Sequence, residues 1–235
     1  MKKMWVICII MVLALAAALL TLTSCSDKKT DELISAIHAK DTERVEELLK
    51  QGVNPNKKQS GNIFQQQGAV YPFHEAIKVS DNDNYDMVKL FVKYGADVNQ
   101  YFYDGVYTPL WCTMSKSNSE IFFYLIDNGA DINKYSMELI YGSVTWNLEI
   151  LEYLLENGVS IDAQDKNGFT ALADKCNTKD FYEYSEEGKL KYLDTIKILL
   201  DNGADKNLKN KKGKSAYDYA VDNNLTEILE LFEKY

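Results

Sequence analysis

Apolar residues recur along this chain at helical spacing, and five times the run stops at a glycine. The segments are "LLKQGVNPN" from Leu48, "FVKYGADVN" from Phe91, "LIDNGADIN" from Leu125, "LLENGVSID" from Leu154 and "LLDNGADKN" from Leu199. In each, apolar side chains stand seven, four and three places before the glycine, as Val45, Leu48 and Leu49 do before Gly52. That spacing puts them on one face of a helix. Glycine then suits the left-handed position that closes a helix. Four places on, Asn56, Asn99, Asn133, Asp162 and Asn207 supply turn chemistry.

A second signal falls between the glycines: "YPFHEA" from Tyr71, "TPLWCT" from Thr108, "TALADK" from Thr170 and "SAYDYA" from Ser215. Thr or Ser there caps a helix, and proline in the next position suits its first turn. The two signals together resemble the ankyrin repeat, with its T-P-L-H-x-A helix start and its L-L-x-x-G-A-D-x-N end. The resemblance runs over residues 31–235. It implies an all-α solenoid of about six helix-turn-helix units joined by short hairpins, with units ending near residues 56, 99, 133, 162, 207 and 235. His74 stands at the family's histidine position, which implies hydrogen bonding between turns rather than catalysis.

The glycines are 43, 34, 29 and 45 residues apart, against a repeat of about 33, and the differences locate the irregularities. The first hairpin is seven residues long in excess, a short bulge at 82–84 separates the helices of the second unit, and the fourth hairpin is clipped. The fourth unit, "SMELIYGSVTW", lacks the motif's proline and histidine. Twelve extra residues fall in "NTKDFYEYSEEGK", over residues 177–189. They form either a binding loop or a lengthened helix pair that covers its own core.

The amino terminus has a different pattern. Lys2 and Lys3 precede an uncharged run of 16 residues, Trp5 to Leu20, short of the roughly 20 that a spanning helix needs. This reads as an export signal. It ends in Leu22-Thr23-Ser24-Cys25, which resembles the lipobox of bacterial lipoproteins. The resemblance implies a cleaved signal over 1–24, acyl chains on Cys25 that hold the protein to a membrane, and a tether over 25–30. Ser26, rather than Asp, after the cysteine leans towards the outer membrane or cell surface. Loss of residues 1–24 removes two lysines and no acid, leaving 24 basic against 35 acidic residues, a net charge of −11. That argues against nucleic acid and favours a basic partner.

Candidate chemistry is sparse. His38 and His74 lie in different units, and no Cys/His spacing suits a metal. "NKKGKSAY" lacks the glycine of a phosphate loop, Leu208 standing in its place. No catalytic residue, metal or cofactor is assigned. Cys112 and Cys176 fall two units apart, too far for a disulfide. The candidate partner-binding residues are aromatic, because tyrosine and tryptophan bring much contact area at little entropic cost. They are Tyr101, Phe102, Tyr103, Tyr107 and Trp111 around the third hairpin, and Phe181, Tyr182 and Tyr184 in the insertion. Tyr107 and Trp111 also suit packing between neighbouring units. The expectation is a monomeric, lipid-anchored protein-protein interaction module of the bacterial envelope. Alternatives are an envelope immunity protein that neutralises a toxin, a host-directed effector, and an enzyme or regulatory subunit using paired carboxylates of the insertion.

Overall fold

A computed structural model of the chain describes residues 28–59, 70–80, 85–102, 107–114, 119–134 and 136–235. The signal segment, Cys25, the bulge at 82–84 and Tyr103 lie outside the described residues. The chain divides into two compact units between Asp104 and Gly105.

The first unit holds α1 over residues 28–38, α2 (Thr42–Lys50), α3 (Pro72–Val79) and α4 (Asp86–Lys93). Residues 28–30, expected in the tether, are already helical. Helix α4 packs on both α2 and α3. The core between them includes Leu48, Phe73 and Phe91, the two rings stacked with centroids 5.7 Å apart. The long first hairpin begins as an antiparallel pair, Gln59 and Val70 exchanging backbone hydrogen bonds of 2.8 and 3.1 Å.

The second unit holds α5 (Pro109–Thr113), α6 (Ser119–Asp127), α7 (Ser136–Trp146), α8 (Leu148–Glu156), α9 (Ala171–Cys176), α10 (Glu186–Asp201), α11 (Ala216–Asp222) and α12 (Thr226–Phe232). Helices α5, α7, α9 and α11 stack each on the next, and each pairs with the helix that follows it in the chain. Thr108, Thr170 and Ser215 cap α5, α9 and α11 by accepting from backbone N–H groups of the first turn. The irregular fourth unit keeps its helix pair. Asn147 divides it, its Oδ1 accepting from Glu149 N at 3.1 Å to start α8. Gly142 lets α7 approach Met114, whose Cγ would lie 2.9 Å from an added Cβ.

All five glycine stops close in the same way. At the first, Gly52 N donates to Leu49 O and Val53 N to Leu48 O, the paired bonds of a Schellman motif. The same pair recurs at Gly95, Gly129, Gly158 and Gly203, each with a φ between 82° and 89°. Two places after the glycine, a short side chain accepts from the backbone N–H two residues on: Asn54, Asp97, Asp131, Ser160 and Asp205.

The insertion is a lengthened helix pair. A single 3-10 turn spans Phe181–Glu183, Ser185 caps α10, and α10 runs for 16 residues where α6 and α8 have nine. Phe181 anchors it, fully buried, with its ring 5.6 Å from that of Tyr192.

Candidate functional site

The aromatic candidates separate by exposure. Phe102 is fully buried against Tyr71, Phe73 and His74, and Phe181 is fully buried beneath α10. Both were expected to meet a partner; both are core residues, because a ring without a polar atom gains most from full burial. Tyr107 and Trp111 are half-buried and lie ring to ring at 4.3 Å. Tyr182 is exposed at its ring, but its hydroxyl is committed. It accepts from Thr226 N at 3.1 Å and lies 2.7 Å from Asn224 O and 3.0 Å from Glu227 Oε2. That ties the insertion to the start of α12. Tyr101, 44% exposed, and Tyr184, 40% exposed, also stand in solvent. Tyr101 and Phe102 belong to the first unit and Tyr107 and Trp111 to the second, so the third hairpin spans the division.

The side chains four places after the glycines do more than shape turns. Asn56 Nδ2 donates to Gly95 O at 2.9 Å, and its Oδ1 accepts from Asp97 N at 2.8 Å. Asp162 repeats this one-sidedly, accepting from Asp205 N at 2.9 Å. These residues tie one unit's turn to the next.

The family comparisons agree with this geometry. Residues 33–136 match the family described as ankyrin repeats (3 copies), and residues 146–172 match ankyrin repeats (many copies). Together the matches take in more than half of the chain. The chain belongs to the ankyrin-repeat family. Among solved structures, EF0377, an ankyrin repeat protein, aligns with a TM-score of 0.60 at 26% identity, over 86% of this chain and 96% of that one. Among curated proteins, the putative ankyrin repeat protein FPV219 of fowlpox virus is 32% identical over 68% of this chain and 34% of its own length. The putative ankyrin repeat protein R598 of Acanthamoeba polyphaga mimivirus is 26% identical over 60% of this chain and 49% of its own length. The chain thus spans about half or less of these curated relatives.

At the histidine position of this ankyrin frame the bond shown is local to its own helix, and the bond between repeats comes from His38. His74 Nδ1 lies 3.2 Å from Glu75 Oε1, and His38 Nε2, from the unit before, lies 2.9 Å from Glu75 Oε2. The bond from His74, then that from His38 and the charge of Lys78, outweigh burial and hold the Glu75 carboxyl down at about 2. Among the described residues no group of three or more His, Cys, Asp and Glu side chains is disposed to hold a metal ion. Cys112 and Cys176 are both buried.

Two acids of the insertion are tied to lysines. Glu187 is held down by its bond to Lys191 at 2.8 Å, and Glu186 pairs with Lys189 at 2.9 Å. The carboxyls pushed up by burial are Glu138 on α7, Asp162, and Asp174 on α9. Next to Asp174 lies a residue that the motif reading passed over. Lys175 is 5% exposed and has no carboxylate within ion-pair distance among the described residues. Its signal was present in "TALADK", where it occupies the motif's alanine position.

Proposed function

We propose that this chain is a membrane-tethered ankyrin-repeat lipoprotein of the bacterial envelope that works by binding another protein. The observation that carries the reading is the junction Leu22-Thr23-Ser24-Cys25, which closes a basic-then-apolar leader and lies just ahead of the helix described from residue 28. Acyl chains on Cys25 would anchor the repeats close to the membrane, with two or more chains needed for stable attachment. The repeats then offer their surface to a partner. Tyr101 and Tyr184 are exposed aromatic residues suited to anchor it. The net charge of −11 after residue 24 steers basic partners towards that surface.

The test is metabolic labelling of the full-length protein in a bacterial host with radiolabelled palmitate, beside Cys25→Ser. The wild type takes up label, begins at residue 25 and fractionates with membranes; Cys25→Ser takes up none and keeps its leader. Processing and membrane attachment that Cys25→Ser leaves unchanged would refute the tether.

A further inference from the structure

The fifth unit departs from the repeat twice, and both departures meet at one cavity. The first is Lys175. The equivalent position is Ala76 in the second unit, Thr113 in the third and Ala220 in the last, each fully buried and small. The second is the lengthening of α10, whose added turns bring Gly188, Lys191 and Tyr192 over α9. Between the start of α8, the end of α7, α9 and α10 lies a cavity of about 570 Å³, within the usual range for small-molecule sites of about 300–1,000 Å³. Its wall is mostly apolar, with Val144, Leu148, Tyr184, Tyr192 and Ile198, and Lys175 lines it.

The surroundings of Lys175 hold its ammonium without neutralising it. The Nζ lies 4.3 Å from the ring centre of Tyr141 and 5.2 Å from that of Tyr192, a cation-π arrangement that stabilises charge but leaves it in place. Nζ donates to Thr145 Oγ1 at 3.1 Å, and Thr145 spends its own proton on Tyr141 O at 2.7 Å. An ammonium has three donors, so two remain. Asp194 and Lys191 also line the cavity, but Asp194 makes no ion pair with Lys175 and Lys191 is paired with Glu187. A buried charge is normally paired. Here an apolar cavity stands in the place of the partner, and its rim is itself exposed and apolar, with Leu148 and Tyr184 in solvent.

We infer that this cavity is a binding site for a small carboxylate with an apolar body, the carboxylate taking the free donors of Lys175 and the body lying against Leu148, Tyr184, Tyr192 and Ile198. Burial holds the Lys175 ammonium down at about 8 when the cavity carries no anion, and a bound carboxylate would raise it again. The inference does not rest on the lipid on Cys25, and it shares only Tyr184 with the protein-binding reading.

The test is calorimetric titration of the full-length protein in neutral detergent with 3-phenylpropionate, 4-phenylbutyrate and hexanoate, each beside its primary amide. At pH 7 at least one acid binds ten times or more tighter than its amide, and Lys175→Met, which keeps the length of the side chain, removes that preference. A second measurement needs no variant. In protein carrying ¹³C-lysine, the Lys175 Cε resonance moves on adding that acid, and its titration midpoint rises. Absence of binding by all three acids, equal binding of acid and amide, or a Lys175 resonance unmoved by saturating acid would each overturn the site.

Discussion

The Asn56 carboxamide bridges to the next turn of the solenoid, donating to Gly95 O at 2.9 Å while accepting from Asp97 N at 2.8 Å. Both bonds join backbone groups that no helix or strand would satisfy. Among the described residues the Asn133 side chain, at the same register two units on, bonds only to Asp131 within its own turn, because the clipped fourth hairpin follows it. Asn56→Ala should therefore destabilise the protein by about 1–2 kcal/mol, two net hydrogen bonds, and Asn133→Ala by under about 0.5. Urea unfolding of both variants checks the difference. Equal losses would mean that the bridge contributes nothing.

Gly158 and Gly168 share a φ near 82° but differ in what surrounds them. An added Cβ at Gly158 meets nothing within 4 Å, whereas at Gly168 it would lie 2.9 Å from Lys211 N and 3.0 Å from Asn210 Cα, in the neighbouring hairpin. Gly158→Ala carries only the left-handed penalty of about 1–2 kcal/mol. Gly168→Ala adds a backbone clash, raising the loss to about 2–4 kcal/mol. Thermal melts of the two variants should rank in that order.

Glu75 makes the fold sensitive to acid. Its carboxyl is held down at about 2 by His74, His38 and Lys78, below the usual value near 4.3 of an unfolded chain. Between those two values the unfolded chain binds more protons, so stability falls as pH drops through that window. The full contribution, on the order of 2 kcal/mol, is present above the upper value. In Glu75→Gln the acid-side decline should be shallower, as measured by denaturant midpoints from pH 6 to pH 2.5.

Lys175 acts at the other end of the scale. Burial holds it down at about 8, against about 10.4 unfolded. Between these values the unfolded chain again binds more protons, so this residue's share of stability rises with pH. The groups around it are Asp174 on its own helix, Tyr141 on α7, and Tyr192, Lys191 and Asp194 on α10, with Tyr184 and Cys176 nearby. Tyr141, Tyr192 and Cys176 are pushed up by burial and oppose the rise, losing stability as their unfolded forms ionise. The difference between wild type and Lys175→Met isolates the lysine. Wild type should gain on the variant by on the order of 2–3 kcal/mol between pH 7.5 and pH 10.5.

The repeat was legible because its signals are local. A glycine, three spaced apolar residues and a short polar side chain specify a Schellman closure without reference to the rest of the fold, so all five helix ends were readable in one pass. The surface was less legible. Phe102 and Phe181 sit among tyrosines in the sequence, and nothing local says that their rings turn inward while Tyr101 and Tyr184 turn out. The insertion's helix was signalled by Ser185 followed by Glu186 and Glu187, a cap and an acidic first turn. The cavity at Lys175 needed the fold, since Tyr141 and Tyr192 are 51 residues apart in the chain.

The most direct test of the central claim is cross-linking of the full-length protein in bacterial envelope membranes, with wild type beside a Tyr101→Ala, Tyr184→Ala variant that keeps its melting temperature. A membrane-tethered recognition module predicts one or a few defined proteins joined to wild type, basic on the contacted face and lost from the variant. No defined protein joined to wild type, or the same proteins joined equally to both, would contradict it.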